Sequence, residues 1–304
     1  MKLAVIGGYG LLGSTAAFYA GVKGLFDEIY LIGRKQNLLM SHVMDMDQAL
    51  SPMSHTRVYA GDYKDLKHCD VILFTASMPE RAVDNRNEYL SMNLGLVNEI
   101  ADQIGSNCTH KIILCATNPI DIFNYALYKK LGWPREKFLG FGYNDTLRLR
   151  WALSDTLQKP YAGFEAYVLG EHGDLQVPVF SQISYHGEKL ALGEAERSEI
   201  AARIANYFRA FQKLDAKRTS GWTSSVGITT VLEAISKGAE EYVPCSAILE
   251  GEYGLSDVSL GVPVRLGKNG IEEIFELKLT EKEGGKLQNA AVELKARMHM
   301  AGIY

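Results

Sequence analysis

Short apolar runs alternate with amphipathic segments along the first half of the chain. Runs of four or five apolar residues are typical of buried strands, whereas longer segments with apolar residues three or four apart are typical of helices. The predicted strands cover residues 3–6, 28–32, 56–60, 71–75 and 112–116, and the predicted helices cover 14–22, 37–50 and 87–104. Strands that alternate with helices in this way predict a doubly wound parallel sheet of the α/β class.

The pattern changes near residue 140. A long helix that contains residues 145–148 is followed by an apolar strand predicted at 166–169. Beyond it we expect mixed strands, helices over 194–217 and 223–237, strands within 243–266, and a final amphipathic helix from about residue 281. The pattern predicts two domains, an α/β domain over residues 1–142 and a mixed α+β domain over residues 143–304.

The composition excludes several classes of protein. Apolar residues make up 47% of the chain and charged residues 22%, with a net charge of −4 and a pI near 6.0. This balance predicts a folded protein with no general attraction to nucleic acid or anionic membranes. No apolar run approaches the ~20 residues that span a bilayer, and the apolar start is too short for a signal peptide. Because the cysteines form no CxxC pair and the histidines show no ligand spacing, we expect a cytoplasmic protein with reduced thiols and no metal site.

A glycine-rich turn follows the first predicted strand and leads into a helix rich in alanine. Glycines at such a point let the backbone approach a pyrophosphate, whose charge is stabilised by amide groups at the helix N-terminus. Two registers of the fingerprint fit, with the first glycine at Gly7 or at Gly8. The turn predicts a Rossmann-type nucleotide-binding domain. We assign to its cofactor site Gly7, Tyr9, Gly10, Leu11, Leu12 and Gly13.

The end of the second strand indicates which nucleotide is bound. A carboxylate that binds the adenine ribose of NAD usually stands there, but this chain has Gly33 followed by Arg34 and Lys35. Without the carboxylate a 2′-phosphate is not repelled, and an arginine offers a planar fork to hold it. The alternative is a solvated basic turn. The pattern favours NADP over NAD.

Other candidate cofactor residues follow the later strands. Asn118, in the Thr117-Asn118-Pro119 turn, has a side chain that can bond both a ribose and a substrate oxygen. Charged residues beyond the carboxyl ends of parallel strands lie where open α/β sheets bind ligands. We assign to the cofactor site Thr75, Ala76, Asn93, Thr117 and Asn118.

His172 stands in a turn between Gly170 and Gly173, just after the strand predicted at 166–169. Histidine titrates near neutrality, which suits a group that takes and returns a proton. The alternative is a loop histidine that only forms hydrogen bonds. The rest of the chain favours the catalytic interpretation.

Asp145 and Arg148 lie three residues apart on one predicted helix and therefore share a face. In the functional interpretation, Asp145 orients the His172 ring and Arg148 binds a substrate carboxylate through two hydrogen bonds. In the other, they form an ordinary surface ion pair. Thr223 is predicted to cap a later helix and to face the substrate.

Together these residues resemble the lactate/malate dehydrogenase family of L-2-hydroxy acid dehydrogenases, from residue 1 to about residue 290. The resemblance rests on the glycine turn, Thr117-Asn118-Pro119, Asp145-x-x-Arg148 and Leu169-Gly-Glu-His172-Gly-Asp174. It implies hydride transfer between NAD(P)H and a small 2-oxo acid, with His172 as acid and base and Asp145 as its partner. It also implies that Arg148 binds the substrate carboxylate, that Arg86 polarises the reacting carbonyl, and that the protein is a homo-dimer or tetramer.

The chain departs from the family pattern at the position that selects the substrate side chain. Malate dehydrogenases carry arginine there, whereas this chain has Glu80 with Arg81 beside it. Glu80 would repel the second carboxylate of oxaloacetate, and Arg81 would attract it. The loop also has Ala82-Val83 in place of Pro-Gly, and the segment before Asp145 is one residue shorter than usual. The Gly33-Arg34 pair resembles the NADP-using archaeal-type members of the family.

Two other functions remain open at this point. The glycine turn also fits extended short-chain dehydrogenases and epimerases, whose Tyr-x-x-x-Lys motif is matched by Tyr125 and Lys129. A non-catalytic NAD(P)-binding protein is the second alternative, and it would require the His172, Asp145 and Arg148 set to be idle.

Overall fold

The computed structural model describes residues 1–78, 86–215 and 221–304, and within them the side chains other than those of residues 86–89, 208 and 212. The first part alternates strands and helices as predicted. Its elements are β1 (Lys2–Ile6), α1 (Leu11–Val22), β2 (Glu28–Ile32), α2 (Gln36–Leu50), β3 (Arg57–Gly61), β4 (Val71–Phe74), α3 (Arg86–Asn107), β5 (Ile112–Cys115), α4 (Ile120–Leu131) and β6 (Phe138–Gly140).

These strands form a parallel sheet in the order β3-β2-β1-β4-β5-β6. Ile6 pairs with Ile32 on one side and with Phe74 on the other, so three strands end at the same level. β4 and β5 are buried at every position, as expected of strands covered by helices on both faces. The predicted doubly wound parallel sheet is confirmed.

The second part is mixed α and β, as predicted. Its elements are α5 (Tyr143–Leu157), β7 (Phe164–Glu165), β8 (Val168–Gly170), β9 (Gln176–Pro178), β10 (Ser184–Tyr185), β11 (Glu188–Lys189), α6 (Glu194–Lys213), α7 (Gly221–Lys237), β12 (Val243–Glu250), β13 (Ser256–Gly267), β14 (Gly270–Ile274) and α8 (Glu281–Met300). α8 begins at the predicted residue, where Thr280 caps it by accepting a hydrogen bond from the Glu283 amide. The strand predicted at 166–169 is β8, which begins two residues later.

The sheet continues from the first part into the second. β12 pairs antiparallel with β6, β13 pairs with β12, and β8 joins β13 where Gly261 meets Gly170. A Cβ atom on Gly261 would lie 2.9 Å from the Gly170 carbonyl oxygen, and Gly170 has a φ of +87°. Both positions therefore require glycine. This close crossing carries the turn after β8 toward the carboxyl ends of the parallel strands.

A second apolar cluster lies away from the sheet, between α5, α6 and the short strands β7 and β8. Leu149 and Leu153 of α5 pack there with Ile200 and Ile204 of α6, and all four are buried. The apolar face of α5 is therefore held in this cluster. Asp145, near the start of the same helix, lines a small cavity together with His172.

Candidate active site

The glycine turn lies against the end of β4. Gly7 has a φ of +92°, and a Cβ atom on it would meet the Ala76 amide nitrogen at 2.8 Å. A Cβ atom on Gly13 would lie 2.6 Å from the Gly7 carbonyl oxygen and 2.7 Å from the Thr75 hydroxyl. Side chains at Gly7 and Gly13 are thus excluded by the packing of the turn itself.

The helix after this turn begins earlier than predicted, so that Leu11, Leu12 and Gly13 form its first turn. Gly10 precedes it and provides no side-chain cap, and the first turn contains no acidic residue. The first amide groups of a helix lack partners within it. An uncapped helix start beside a close-packed glycine turn fits the pyrophosphate of a dinucleotide.

The basic turn after β2 lies beside Tyr9. A Cβ atom on Gly33 would meet the Tyr9 ring at 2.6 Å, and the Lys35 ammonium group lies 6.0 Å from the centre of that ring. Arg34 forms an ion pair with Glu99 at 2.9 Å, in which both side chains are more than 60% exposed. The sequence did not predict this partner. Because exposed ion pairs contribute little energy, it leaves Arg34 available to a stronger anion.

The turns after β4 and β5 are tied together at the same edge. The Thr75 hydroxyl donates to the Ile6 carbonyl at 2.9 Å, and the Thr117 hydroxyl donates to the Ala76 carbonyl at 2.9 Å. Asn93 is fully buried, and its side-chain oxygen accepts from the Met78 amide at 2.9 Å. Asn118 is exposed at this edge. Asn93 therefore supports the turn after β4.

His172 and Asp145 meet where β8 ends beside α5. Nδ1 of His172 lies 2.6 Å from Oδ2 of Asp145, and the side-chain exposures are 18% and 7%. Nη1 of Arg148 donates to Oδ1 of the same carboxylate at 3.1 Å. The structure brings these predicted residues into one cluster, with Asp145 between the histidine and the arginine.

The carboxylate decides the charge of the histidine. Burial lowers the pKa of His172, but the charge and the hydrogen bond of Asp145 outweigh that effect, so the pKa is raised above its ordinary value of 6.5. Asp121 raises it further, and Arg148 opposes it. The site therefore favours the protonated form of His172 more than water does.

Two aromatic residues that the sequence did not single out pack at the arginine, Tyr207 directly and Trp151 through Tyr207. The Arg148 guanidinium lies 4.8 Å from the centre of the Tyr207 ring, and Trp151 contacts Tyr207 edge-on at 5.9 Å. The ring stabilises the cation and restricts its orientation. No sequence signal pointed to Tyr207, because it comes from α6, a distant segment.

Asp121 is a third residue that the sequence did not single out. It is buried on α4 and accepts a hydrogen bond from the backbone amide of His172 at 2.8 Å. A signal was available, because Asp121 is the one charged residue in the apolar run Ile120-Asp121-Ile122-Phe123. Such a run predicts that the carboxylate is buried with its neighbours.

Several predicted residues are not placed by the structure or are placed differently. Glu80 and Arg81 lie outside the described residues, and Arg86 is the first residue of α3, with its side chain outside the description. The prediction that Thr223 caps a helix is wrong, because α7 begins at Gly221 and Thr223 is its third residue.

Comparison with known proteins identifies the family. A model described as lactate/malate dehydrogenase, NAD binding domain, matches residues 1–140, and one described as lactate/malate dehydrogenase, alpha/beta C-terminal domain, matches residues 144–302. The chain belongs to the lactate/malate dehydrogenase family. It is therefore an oxidoreductase that uses a nicotinamide cofactor and acts on the CH–OH group of a small 2-hydroxy acid.

Relatives with both names are about equally similar to this family member. A malate dehydrogenase of Halobacterium salinarum is 32% identical over 299 residues, which cover 97% of this chain and 98% of the relative. L-lactate dehydrogenase 1 of Staphylococcus aureus is also 32% identical over 299 residues, covering 96% of this chain and 94% of the relative. Identity alone therefore does not separate malate from lactate as substrate.

Solved structures of the family agree with the fold. The malate dehydrogenase from Aeropyrum pernix has a TM-score of 0.91 at 29% identity, over 99% of this chain and 98% of that one. The lactate dehydrogenase of Cryptosporidium parvum, solved with lactic acid and β-nicotinamide adenine dinucleotide, has a TM-score of 0.91 at 28% identity, with the same coverage.

Membership of this family makes the short-chain dehydrogenase alternative wrong, and the geometry explains why the motif misleads. Tyr125 is 1% exposed and packs against Tyr128 and Tyr304, while Lys129 is exposed. Over residues 1–78, 86–215 and 221–304, no helix is long and apolar enough to cross a membrane. Those residues also contain no group of three or more histidine, cysteine or acidic side chains that could hold a metal ion.

Proposed function

We propose that His172 exchanges the proton in a malate- or lactate-type reaction, in which a small 2-oxo acid is reduced and its hydroxy acid is oxidised. The observation that carries the proposal is the 2.6 Å contact between Nδ1 of His172 and Asp145 in a mostly buried site. Because Nδ1 is held by the carboxylate, Nε2 is the nitrogen that gives a proton to the forming hydroxyl group. When bound, the reduced nicotinamide supplies the hydride. His172 starts the reduction protonated and ends it neutral.

Arg148 is the anchor for the substrate carboxylate in this proposal. Asp145 and the Tyr207 ring fix the guanidinium, so little conformational freedom is lost when a carboxylate binds. Arg86 polarises the carbonyl oxygen and Asn118 contacts both substrate and ribose, while Thr223 faces the substrate from α7. Residues 1–142 then bind the cofactor, and residues 143–304 supply His172, Asp145 and Arg148.

We propose that NADP is preferred over NAD. Gly33 supplies no carboxylate at the end of β2, the Tyr9 ring occupies the space where one would project, and Arg34 and Lys35 follow directly. An arginine whose present partner is an exposed carboxylate can exchange it for a phosphate. Glycines and amides around Gly7, Gly10 and Gly13 bind the pyrophosphate.

The test of this preference is Arg34→Ala, with Arg57→Ala as the matched control. Arg57, at the start of the neighbouring strand β3, is similarly exposed, at 63% against 65%, and pairs with Asp47 of α2. Arg34→Ala should weaken NADPH binding by about tenfold or more and NADH binding much less, since a bond to a charged group contributes about 1.5–3 kcal/mol. Arg57→Ala should change neither. Equal losses for both cofactors would contradict a phosphate site at Arg34.

The choice of substrate rests on Glu80 and Arg81. We propose that the one of these two residues that faces the substrate determines which charge the side chain of the substrate can carry. Initial rates with oxaloacetate, pyruvate and larger 2-oxo acids, measured with NADPH and with NADH, test the function and decide the substrate. Strong turnover of oxaloacetate would assign Arg81 to the pocket, and preference for a monocarboxylic or cationic acid would assign Glu80. Bound cofactor without turnover of any acid would contradict the dehydrogenase function.

We further propose a homo-dimer or tetramer. A groove of about 540 Å³ lies between α1, α2 and α7. The same helices expose Met40, Met44, Trp222 and Val226, with Trp222 at 66%. Such an apolar surface is typical of an interface, here with a second copy of the chain. Sedimentation velocity that gives only the monomer mass would contradict this.

We place the protein in the cytoplasm, because all four of its cysteines are buried free thiols, as expected in a reducing compartment. Cell fractionation should recover it with cytoplasmic markers.

A further inference from the structure

A second carboxylate lies beneath the catalytic turn. Asp121, in the first turn of α4, is 3% exposed. Its Oδ2 accepts a hydrogen bond from the backbone amide of His172 at 2.8 Å, and its Oδ1 accepts one from the Ser246 hydroxyl at 2.5 Å. Each oxygen of this buried carboxylate therefore has a donor, and one of the donors is the backbone of the proposed acid.

The other donors around Asp121 are neutral. Ser246 of β12 also contacts the Ser259 hydroxyl of β13 at 2.7 Å, and Nδ2 of Asn124, one turn further along α4, donates to Ser259 at 2.9 Å. Within the described part of the chain, no lysine or arginine forms an ion pair with Asp121. A buried carboxylate without a cation is costly unless a nearby group gains from its charge.

The group that gains is the His172 imidazolium. Asp121, Asp145 and His172 line one small cavity of about 10 Å³, the room of a single water molecule. The charged groups that face His172 are Asp145 and Arg148 from α5 and Asp121 from α4. Two further titratable groups face Asp121. They are Glu171 from the turn itself, which is paired with Arg297 of α8, and the Cys115 thiol from β5.

The balance of these charges favours a positive histidine. Burial raises the pKa of Asp121 to about 6, although the hydrogen bonds from Ser246 and from the His172 amide oppose it. At pH values above that point the carboxylate is charged, and its charge raises the pKa of His172. Asp121 thus contacts the backbone of the histidine, whereas Asp145 contacts its ring.

We propose that Asp121 is a positioning residue for the proton transfer: it holds the backbone of the catalytic turn so that the His172 ring meets Asp145, and its charge stabilises the imidazolium. This inference rests on the proposed role of His172. It adds a residue whose effect on the reaction is transmitted through His172.

The test is Asp121→Asn, which keeps the shape of the side chain and an oxygen that can accept from the His172 amide but removes the charge. The pKa of His172 is read directly by NMR titration of the protein with labelled histidine, independently of turnover, and kcat and KM are measured over the same pH range. We expect the pKa of His172 to fall by about one unit. At a pH above that pKa, kcat for reduction should fall by about tenfold, with KM for the 2-oxo acid nearly unchanged.

Two further variants separate charge from packing. Ser246→Ala removes a donor to Asp121 and leaves its charge, so it should lower the melting temperature without moving the pKa of His172. Asp155→Asn, at the far end of α5, removes a surface carboxylate paired with Arg203 and should change neither quantity. If Asp121→Asn lowers only the melting temperature and leaves the pKa of His172 in place, Asp121 is merely structural and the proposal fails.

The wild-type protein gives a second test that does not depend on a folded variant. Because protonation of Asp121 removes a charge beside the imidazole, the His172 ring signals should show a second, smaller inflection near the pKa of Asp121. A single inflection would overturn the proposal. Failure of the proposed function is a different result. It would appear as full turnover by the His172→Asn variant, while the titration of His172 in the wild type and in Asp121→Asn follows the prediction.

Discussion

The contact between Asp145 and His172 gives the sharpest quantitative prediction. Replacing Asp145 by Asn keeps the size of the side chain and removes the charge that lies 2.6 Å from Nδ1. A hydrogen bond to a charged group contributes about 1.5–3 kcal/mol. At about 1.36 kcal/mol per pKa unit, its loss lowers the pKa of His172 by roughly one to two units.

The sign of the pH effect follows from the raised pKa of His172. Reduction needs the protonated ring, so its rate is full below the pKa of His172 and falls as the pH rises through it. Oxidation needs the neutral ring and shows the opposite dependence. Asp145→Asn should therefore move the fall in the reduction rate to lower pH by about one to two units. Above the native pKa, kcat should drop by about 10- to 100-fold.

The assay is steady-state oxidation of the reduced cofactor from about pH 5 to about pH 10, with cofactor binding measured by fluorescence. The matched control is Asp155→Asn, which removes a carboxylate from the same helix where it pairs with Arg203 at the surface. KM should also rise in Asp145→Asn, because the Arg148 guanidinium loses the negative charge that holds it at Oδ1. A pH profile in the same place as that of the wild type would refute the role of Asp145.

Three other substitutions test separate parts of the site. Arg148→Lys should raise KM for the 2-oxo acid by about 10- to 100-fold while cofactor binding is kept, and an unchanged KM in steady-state assays would count against the carboxylate anchor. Gly13→Ala places a Cβ 2.6 Å from the Gly7 carbonyl oxygen and should weaken cofactor binding at least about tenfold by fluorescence titration. Gly95→Ala in α3, which has no atom within 4 Å of the added Cβ, should bind normally, and equal losses in both would contradict the tight turn. Burial raises the pKa of Asp121 from 3.8 to about 6. The protonated carboxyl group therefore stabilises the folded state below pH 3.8, and this stabilisation of about 3 kcal/mol is lost as the pH rises through 6. Urea unfolding should show that Asp121→Asn removes this pH dependence, and an unchanged slope would refute it.

Local pattern predicted the elements well because strands and helices are set by the spacing of apolar residues. β2 has the predicted bounds, and α8 starts at the predicted Glu281. The start of α1 was placed too late because glycine disfavours helix interiors, although Gly13 here is required by close packing against Gly7. Thr223 was predicted as a cap from residue type alone, yet α7 begins before it.

The predicted site residues came from motifs, and what was missed came from contacts between distant segments. Asp121 meets Ser246 across 125 positions and the His172 amide across 51, and Arg34 meets Glu99 across 65. No local spacing indicates such partners. In our proposal the choice of substrate depends likewise on whether Glu80 or Arg81 faces the pocket, and composition and periodicity do not specify this.

His172→Asn tests the central claim most directly. Turnover of the preferred 2-oxo acid and binding of the reduced cofactor are measured on the same preparation. If His172 exchanges the proton, kcat should fall by about a thousandfold or more while the Kd for the reduced cofactor is unchanged. Turnover at the wild-type rate would contradict proton transfer by His172 and with it the mechanism proposed for this chain.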